Sequence, residues 1–349
     1  MRFERRAHRS PVMMIAAPIL AVVAALGIAG VLIALAGANP FLAYGAIVDG
    51  AFGSRLAVTE TLTRATPLIL TGLAAAIAFR AKLWNIGGEG QFMLGALAAA
   101  ALGSQNVLHL PVPLLVTMLM AAGALAGMVL LLVPLGLRLR FGVDEVVTTL
   151  LLNFIVLLFV SMMIEGALKD PLAFGWPQSV PVVSEAELPK LVDRSRLHIG
   201  LLVALLCAVV LQIVQSRTVF GLRSRAAGLN SEATRFAGIS LSRTLVTVAC
   251  ISGGLAGLGG AIEVLGVKGY VTTDLSPGFG YSGIIVAMLA NLQPLGVAFA
   301  ALFAATMFVG SDSMSRALGV PSYIADVTVA LSLLTMLVAL FFTSYRIRR

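Results

Sequence analysis

Long apolar segments recur along almost the whole of this 349-residue chain, and they restrict it to folds that lie in a lipid bilayer. A helix that crosses a hydrocarbon layer about 30 Å thick needs about 20 predominantly apolar residues. Ten segments approach this pattern, so the sequence predicts an all-α polytopic membrane bundle of about ten transmembrane helices. The segments lie near residues 12–37, 57–79, 86–104, 113–136, 145–165, 198–215, 244–266, 281–292, 295–310 and 323–343.

The composition supports a membrane protein, because 59% of the residues are apolar and only 11% are charged. A soluble domain of this length would need far more charge on its surface. The third segment begins with polar residues, which predicts a broken or re-entrant helix. The eighth and ninth segments are short and joined only by Asn291–Pro294, which suits half-helices or a helical hairpin. The first segment resembles a signal peptide, but its apolar run of about 26 residues exceeds the usual 7–15, so we expect it to be retained.

The basic residues predict the orientation, since cytoplasmic loops collect Lys and Arg. With the N-terminus inside, 16 of the 24 basic residues fall in segments that the alternation of loops assigns to the cytoplasm. The outside loop 166–197 carries as many acidic as basic residues. Both termini are therefore expected to be cytoplasmic, in a multi-pass membrane protein. The net charge of +8 then reflects topology, and the dispersal of the bases disfavours nucleic-acid binding. The 16 bases are Arg2, Arg5, Arg6, Arg9, Arg80, Lys82, Arg138, Arg140, Arg217, Arg223, Arg225, Arg235, Arg243, Arg346, Arg348 and Arg349.

Motifs for catalysis and cofactor binding are missing from the sequence. It contains no G-x-x-x-x-G-K-[ST] phosphate loop, so the chain cannot bind ATP in the P-loop manner. His8, His109 and His198 are far apart and have no metal-ligand spacing. Cys207 and Cys250 both fall within predicted spans and are expected to stay unpaired. We therefore expect no metal or other cofactor and no enzymatic activity, with residues 1–349 forming a single transmembrane domain.

A polar, basic segment at Phe220–Ile239 interrupts the apolar pattern between two predicted spans. Asn230 is a favourable N-cap, Glu232 in the first turn suits the helix dipole, and Gly238 can end a helix. These signals predict a helix of about seven residues over Ser231–Ala237, which is too short to be stable alone in water. It would therefore need a partner surface; a generic solvated loop is the alternative. Its small apolar face consists of Ala233, Phe236 and Ala237.

This short helix carries a recognisable motif and is separated from a first helix over Arg223–Ala227 by Gly228-Leu229-Asn230. Glu232-Ala233-Thr234-x-x-x-Gly238 closely resembles the E-A-A-x-x-x-G signature of ABC importer permeases, with Thr234 in place of the second Ala. In that family the segment forms the coupling helix, which sits in a groove of the ATP-binding subunit. The resemblance implies that residues 217–243 are a cytoplasmic coupling loop. The residues that it assigns to the ATPase contact are Arg223, Arg225, Asn230, Glu232, Ala233, Arg235, Phe236 and Gly238.

A second polar motif, LWNIGGEGQFMLGA, stands at Leu83–Ala96, where the third apolar segment begins. Its polar residues are costly in hydrocarbon, and its glycines allow close backbone approach or an unwound helix start. A helix entry at the membrane interface and a broken helix lining a substrate cavity both explain the motif. NIGGEGQ resembles the N-I-G-x-E-G-Q element of permeases for simple sugars and nucleosides. Segments that agree with that family in order and spacing are Thr66–Gly72, Asp144–Phe154, Gly228–Ile239, Gly253–Gly266 and Gly278–Gly296.

Together these segments cover about residues 60–300, and the chain resembles a nucleoside- or ribose-type permease, closest to those served by basic-membrane-protein-like binding lipoproteins. The resemblance implies one half of an importer that works in the lipid bilayer with two ATPases, a second permease, identical or paralogous, and a periplasmic or lipoprotein binding protein. ATP binding would close the ATPases and switch the pathway from outward- to inward-facing. The implied substrates are nucleosides, with purine nucleosides favoured, or simple sugars. Gly88 in place of the usual Ala, and a turn Asn291–Pro294 without a basic residue, depart from the family pattern and leave the substrate open.

Six polar residues within predicted spans or at the start of one are expected along the substrate pathway. Three of them belong to the second motif and could equally bond neighbouring backbone at a helix break. Thr149 and Asn153 stand at i and i+4, where they could bind a sugar hydroxyl or a base edge, or hold two helices together. Glu263 lies in a glycine-rich span, where an unpaired carboxylate is costly, so it should face water or a partner. In the same span, the pairs Gly253/Gly257 and Ala256/Gly260 predict close helix packing. The six are Asn85, Glu89, Gln91, Thr149, Asn153 and Glu263.

Two other function classes are alternatives. An autonomous secondary transporter or channel would need coupling-ion carboxylates in mid-membrane and no ATPase contact, and both the scarcity of such acids and the coupling-helix motif count against it. A membrane enzyme would need an interfacial motif such as a paired D-x-x-D, which the sequence lacks. We therefore expect the permease subunit of an ATP-driven ABC importer, with ATP hydrolysed by a separate subunit.

Overall fold

The computed structural model describes residues 2–5, 23–24, 27–35, 37–104 and 110–348, and the secondary structure within them consists of helices and two four-residue strands joined by loops. Strand β1 is Arg2–Arg5 and strand β2 is Tyr345–Arg348. A 3₁₀ turn at Ser184–Ala186 and a π-helical turn at Val264–Lys268 complete the structure. The α-helices are α1 (Gly27–Leu35), α2 (Pro40–Phe52), α3 (Arg55–Arg80), α4 (Gly88–Gly103), α5 (Val112–Phe141), α6 (Glu145–Glu165), α7 (Gly200–Arg217), α8 (Val219–Leu229), α9 (Ser231–Phe236), α10 (Leu241–Glu263), α11 (Phe279–Leu289), α12 (Pro294–Leu318) and α13 (Ser322–Ser344).

A polar cap and a glycine set the adjoining ends of α5 and α6. Asp144 caps α6, because its Oδ1 accepts a hydrogen bond from the backbone N–H of Val146 at 2.7 Å. Helix α5 ends at Gly142, which has a φ of +69°. Glycine adopts this left-handed conformation without a steric penalty, so α5 and α6 can be joined by only the three residues 142–144.

Six helices within the described ranges are long and apolar enough to cross a membrane, namely α3, α5, α6, α7, α10 with its π-helical extension, and α12. The number becomes seven if α1 and α2, which are bent by 113° at their junction, form one span. The predicted count of ten spans is therefore not confirmed. Helices α4 and α11 have only 16 and 11 residues, too few for a full span each.

The ninth predicted segment is longer in the structure than in the sequence-based prediction. The ninth segment is not short, because α12 continues through Ser311, Asp312 and Ser313 to a length of 25 residues. Helix α2 packs against this stretch, and a β-carbon added at Gly50 would come within 2.2 Å of the Ser313 β-carbon. The predicted segment 323–343 corresponds to α13. Most of the predicted first segment, 12–37, lies outside the described residues.

The chain divides into two compact units: Met1–Arg64 with Leu302–Arg349, and Ala65–Ala301. In the first unit, strands β1 and β2 pair antiparallel, with Arg2 opposite Arg348. Helices α2 and α12 share a small core that includes Ile47 and Met314. Arg64 forms an ion pair with Asp312, with Nη2 and Oδ2 3.1 Å apart.

The second unit is built around α10, which packs against α4 and α5 through glycines. A β-carbon at Gly257 would come within 2.2 Å of the Gly123 carbonyl oxygen, and one at Gly253 within 2.4 Å of the Gly127 carbonyl oxygen. Such distances leave no room for any side chain, so the helix backbones touch. The predicted close packing at Gly253 and Gly257 is confirmed.

The loops of the second unit gather at two ends. At the end that we call the basic end, comprising residues 80–84, 138–145 and 215–245, Arg80 Nη1 donates to Gln215 Oε1 at 2.6 Å and Arg138 Nη1 donates to the Lys82 carbonyl oxygen at 3.3 Å. At the opposite end, the Val183 N–H donates to the Gly103 carbonyl oxygen at 2.8 Å. The basic loops around 80, 138 and 217–243 thus share one end, and the loop 166–197 lies at the other, in agreement with the predicted alternation.

Candidate functional site

The predicted coupling segment lies at the basic end and forms the two helices α8 and α9. Asn230 caps α9 as predicted, because its Oδ1 accepts hydrogen bonds from the backbone N–H groups of Glu232 and Ala233, each at 3.0 Å. Gly238 follows the last turn with a φ of +76°, which confirms it as the helix stop. The helix has six residues, close to the predicted seven.

The boundary between the two helices differs from the prediction. Gly228 and Leu229 belong to α8, and only Asn230 separates α8 from α9. The reason is packing: Gly228 is buried against the end of α3, where an added β-carbon would lie 2.1 Å from the carbonyl oxygen of Arg80. A helical glycine at this position lets the two backbones touch, so α8 sits directly on the end of α3.

Helix α9 presents its apolar face outward. Phe236 is 96% exposed and Ala233 and Ala237 are also exposed, whereas Thr234 is buried. Exposure of a whole Phe ring on a six-residue helix is unfavourable in water and favours a partner that covers it. We call this apolar face, together with three exposed arginines of α8 and α9, the α9 surface. The arginines are Arg223, Arg225 and Arg235.

A cavity of about 340 Å³ lies beside α9 at the basic end. Lys82 and Arg138 contribute to its wall, together with Asn230, Ser231 and Glu232 of the coupling segment. Helix α9 therefore has open space next to it, although Thr234 on its inner side is buried.

An ion pair beside the cavity was not predicted from the sequence. Arg138 Nη1 lies 2.6 Å from Glu145 Oε1, and the same oxygen accepts a hydrogen bond from the Trp84 N–H at 3.4 Å. The pair thus joins the α5–α6 turn to residues 81–87, which precede α4. The one sequence signal was the tight turn at Gly142, which places the two residues on adjacent helix ends.

The second motif forms a hydrogen-bonded helix break. Residues 81–87 are not helical, and α4 begins at Gly88. Asn85 Nδ2 donates to Gln91 Oε1 at 2.9 Å, and Gln91 Nε2 donates back to Asn85 Oδ1 at 2.8 Å. Asn85 also donates to Ser252 Oγ on α10 at 3.0 Å, and both amides are buried. These bonds to the chain's own atoms favour the structural role that the sequence left open for Asn85 and Gln91.

Thr149 and Asn153 share a face of α6, and this face contacts the helix break. Asn153 Oδ1 accepts a hydrogen bond from the Gly90 N–H at 2.9 Å, and its Nδ2 donates to the Ile86 carbonyl oxygen at 3.0 Å. Thr149 Oγ1 accepts from the Ile86 N–H at 3.4 Å. The two side chains therefore hold the start of α4 against α6, and their contact with a ligand stays a prediction.

Glu89 is the most exposed of the six predicted pathway residues, and it is half-buried. Its Oε2 accepts a hydrogen bond from the Gly280 N–H at 2.7 Å, and the Ser276 hydroxyl and the Tyr281 N–H also bond to the carboxylate. The Tyr281 hydroxyl in turn accepts a hydrogen bond from Asn153 Nδ2 at 3.1 Å. Ser276 and Tyr281 were missed by sequence reasoning, although Tyr281 lies in a stretch that resembles the permease family.

Five of the six predicted pathway residues therefore lie together, and we call them, with Ser276 and Tyr281, the Glu89 cluster. Glu263 is not part of it. Glu263 is the last residue of α10 and is 6% exposed. It stands 11 residues beyond Ser252, the α10 contact of Asn85, which corresponds to about 16 Å along a helix. It thus lies toward the opposite end of the unit.

The loop 166–197 at the opposite end contains an ordered turn with exposed apolar side chains. Asp170 closes this turn, because its Oδ1 accepts from the Leu172 N–H and its Oδ2 accepts from Gln178 Nε2, each at 2.9 Å. We call residues 170–178 the outer turn. Its exposed apolar side chains are Leu172, Phe174 and Trp176. The sequence of this loop indicated only a balance of acidic and basic residues, and the turn was not predicted.

His198 anchors the end of the same loop. It is 1% exposed, and its Nδ1 accepts a hydrogen bond from the Gly200 N–H at 3.1 Å. Burial lowers the pKa of His198 to about 4, so its imidazole is neutral at pH 7. Within the part of the chain that the structure describes, no group of three or more His, Cys, Asp or Glu side chains could hold a metal ion.

Comparison with known proteins adds independent findings. Residues 57–340 match the family model described as the branched-chain amino acid transport system / permease component. The chain is 35% identical to the glucose ABC transporter permease protein TsgB13 of Haloferax volcanii, over 95% of this chain and 89% of that protein. It is 35% identical to the guanosine ABC transporter permease protein NupP of Bacillus subtilis, over 91% of each. It is 33% identical to the nucleoside ABC transporter permease protein NupB of Lactococcus lactis, over 90% of this chain and 88% of that protein. No solved structure matches the chain.

Proposed function

The chain belongs to the family of permease components of branched-chain amino acid transport systems, and from this premise we propose that it translocates nucleosides, with purine nucleosides favoured, or simple sugars. It is a permease subunit of an ABC transporter and not an enzyme, and ATP is hydrolysed by a separate subunit. The relatives named for guanosine, nucleosides and glucose support this substrate range. They also favour the importer over an autonomous secondary transporter or channel.

The observation that carries the proposal is the α9 surface. An exposed Phe236 at the end of a six-residue helix, on a loop that also carries exposed arginines, suits a partner with an apolar groove and an acidic rim. We assign residues 217–243 as the coupling loop and the ATPase as its partner. The eight predicted contact residues all lie on this loop, and Asn230 and Gly238 act by fixing the two ends of α9.

We assign the basic end and both termini to the cytoplasm of a bacterial cell, with residues 1–349 as one permease domain in the inner membrane. Three basic segments share that end, as the bias of Lys and Arg toward cytoplasmic loops requires. The antiparallel pairing of β1 with β2 supports termini on one side of the membrane, because it sets Arg2 opposite Arg348.

One backbone contact joins the coupling loop to the segment that leads into the Glu89 cluster. It lies between Gly228 and Arg80, where α3 ends and residues 81–87 begin. The Arg138–Glu145 pair, which belongs to α5 and α6, holds the same segment through the backbone of Lys82 and Trp84. We infer that a displacement of α8 and α9 by the ATPase moves residues 81–87, which in turn carry Asn85 and the start of α4.

We propose the outer turn as the docking surface for an extracytoplasmic binding protein, either periplasmic or a lipoprotein. The turn lies at the end opposite the coupling loop, and Asp170 closes it by accepting two hydrogen bonds. Trp, Phe and Leu side chains exposed together on a fixed turn are typical of interface anchors. A second permease, identical or homologous, completes the pathway in this proposal.

Reconstitution tests the proposed function. The chain is coexpressed with a candidate ATPase, second permease and binding protein from the same organism, and the purified assembly is placed in liposomes. We expect ATP-dependent uptake of radiolabelled guanosine, adenosine, ribose or glucose, and no uptake without ATP. Uptake of all four that is independent of ATP and of the other subunits would contradict the proposal and favour an autonomous transporter.

A further inference from the structure

The Glu89 cluster lies near the middle of the second unit when depth is counted from the basic end. Asn153 stands eight residues beyond Glu145 on α6, which corresponds to about 12 Å. Thr71 stands nine residues before Arg80 on α3, about 13 Å from it, and its Oγ1 donates to the Phe279 carbonyl oxygen at 2.9 Å. Glu89 is therefore about 12–13 Å from the basic end, close to the centre of a hydrocarbon layer about 30 Å thick.

The exposed side of Glu89 cannot face lipid at this depth. A carboxylate in contact with hydrocarbon is unfavourable by several kcal/mol, and charged side chains within membrane spans face a bundle interior or a water-filled cavity. Tyr281, which is 40% exposed, lies in the same cluster. The half-buried carboxylate and the Tyr281 side chain thus indicate a polar surface that is open to water or to a polar ligand.

The surroundings of Glu89 also determine which ligands this surface tolerates. Helices α4 and α11 both begin here, and their starts touch, because a β-carbon at Gly280 would lie 2.1 Å from the backbone nitrogen of Glu89. The first turn of a helix favours an anion, and broken helices of transporters use such turns to bind anionic groups of substrates. Here the carboxylate of Glu89 occupies that position, because its Oε2 accepts from the Gly280 N–H.

The carboxylate of Glu89 retains capacity for a ligand. An ionised carboxylate offers about four acceptor positions, and its donors within the chain are Ser276, Gly280 and Tyr281. A hydroxyl group of an uncharged ligand can donate to the remaining position. A phosphate at about 5 Å would instead be disfavoured more than a hundredfold, at an effective dielectric constant of about 20.

We propose that Glu89 is a specificity-determining residue of the pathway, whose carboxylate accepts a hydrogen bond from uncharged, hydroxyl-bearing ligands and repels phosphorylated ones. This inference rests on the proposed function and deepens it. The substrates would be free nucleosides or sugars, and nucleotides and sugar phosphates would be rejected inside the membrane as well as by the binding protein.

Charged thiol reagents test this inference on the full chain in lipid nanodiscs. Cys207→Ala and Cys250→Ala remove the native thiols, and Ser276→Cys introduces a reporter next to Glu89. The reporter is reacted with anionic sulfonatoethyl and cationic trimethylammonioethyl methanethiosulfonate. We expect the cationic reagent to react faster by at least about fivefold, and Glu89→Gln to remove most of that difference.

Two further variants keep the test decisive. Thr273→Cys, an exposed position on the same loop, should show a rate ratio that Glu89→Gln does not change. Tyr281→Cys serves as a second reporter, since Ser276 also accepts hydrogen bonds from Gly278 and Phe279 at the start of α11. If both reporters fail to react, or if their rate ratios are the same with and without Glu89→Gln, the inference is wrong. The modification rates are measured without an ATPase, so a failure of the proposed function would leave them unchanged. If ATP-dependent uptake is observed but Glu89→Gln does not change the rate ratios, only the role of Glu89 is rejected.

Discussion

Gly228 and Arg80 meet backbone to backbone, with so little space that a β-carbon at position 228 would lie 2.1 Å from the Arg80 carbonyl oxygen. The nearest atoms that this β-carbon would meet are backbone atoms of residues 80 and 81, so no flexible side chain could move aside to make room. Gly228→Ala should therefore displace α8 from the end of α3. We expect a loss of about 1–3 kcal/mol in stability, as for overpacked interiors, and at least a tenfold loss of ATP-dependent uptake.

The matched control is Gly136→Ala in α5. An added β-carbon at Gly136 has no heavy atom within 4 Å outside its own helix turn. Alanine is a better helix former than glycine, so this variant should be neutral or more stable by up to about 1 kcal/mol. Thermal unfolding in detergent measures both changes, and equal effects of the two substitutions would refute the role assigned to the Gly228 contact.

Substitutions in helix α9 and at the glycine that ends it should separate the permease from its ATPase without unfolding the permease. Phe236→Asp puts a charge where we expect an apolar groove, Glu232→Arg reverses the charge in the first turn of α9, and Gly238→Asp adds a negative charge at the helix stop. Each should abolish uptake and reduce co-purification of the ATPase at least tenfold. Undiminished co-purification in all three variants would rule out α9 as the coupling helix.

Substitutions in the outer turn should have the opposite effect, weakening the association with the binding protein and not with the ATPase. Trp176→Ala and Phe174→Ala remove exposed aromatic side chains that contribute little to the fold. If this turn docks the binding protein, the pair should weaken that association at least tenfold, because aromatic anchors dominate interface energies. ATPase co-purification should stay at the wild-type level. If surface plasmon resonance on the assembled permease shows an unchanged association, the outer turn is not the docking surface.

The Arg138–Glu145 pair predicts a non-additive effect on stability. Glu145 is buried and Arg138 is partly exposed, so Arg138→Gln leaves a carboxylate without its cation. We expect this single change to lower the free energy of unfolding by about 1–2 kcal/mol, at the low end for buried pairs because solvent screens Arg138. The double variant with Glu145→Gln should recover part of that loss. Additive losses in denaturant unfolding would contradict direct coupling between the two side chains.

The local chemistry of the coupling segment could be predicted from the sequence, because caps act over a few residues. Asn230 and Gly238 set the ends of α9 through contacts within the segment itself, and both were correctly assigned. The Gly228-Leu229-Asn230 break was wrong by two residues, since the helical state of Gly228 depends on its contact with Arg80. That contact joins residues 148 positions apart, and no local pattern encodes it.

The Glu89 cluster shows the same limit within the membrane. Polar residues at 85, 89 and 91 indicated a helix break, but the sequence could not distinguish ligand contacts from internal hydrogen bonds. That distinction depends on Asn153 and Ser252, which come from other helices. Counting apolar residues predicted ten spans, and this count is not confirmed, because α4 and α11 are too short to cross a bilayer alone and the described residues contain six or seven helices that are long and apolar enough.

His198 gives a final prediction, on the pH dependence of stability. Burial lowers its pKa in the folded chain to about 4, whereas the ordinary value is 6.5. Between these values the unfolded chain binds a proton that the folded chain does not, so stability rises with pH. The contribution of the neutral imidazole is fully present above pH 6.5 and is lost as the pH falls toward 4. The shift corresponds to about 3 kcal/mol.

His198→Gln keeps an acceptor for the Gly200 N–H but does not titrate, so the stability of this variant should decline less between pH 6.5 and pH 4 by about that amount. Thermal unfolding of both proteins from pH 7.5 to pH 4 measures the difference, and parallel curves would show that protonation of His198 is not linked to folding.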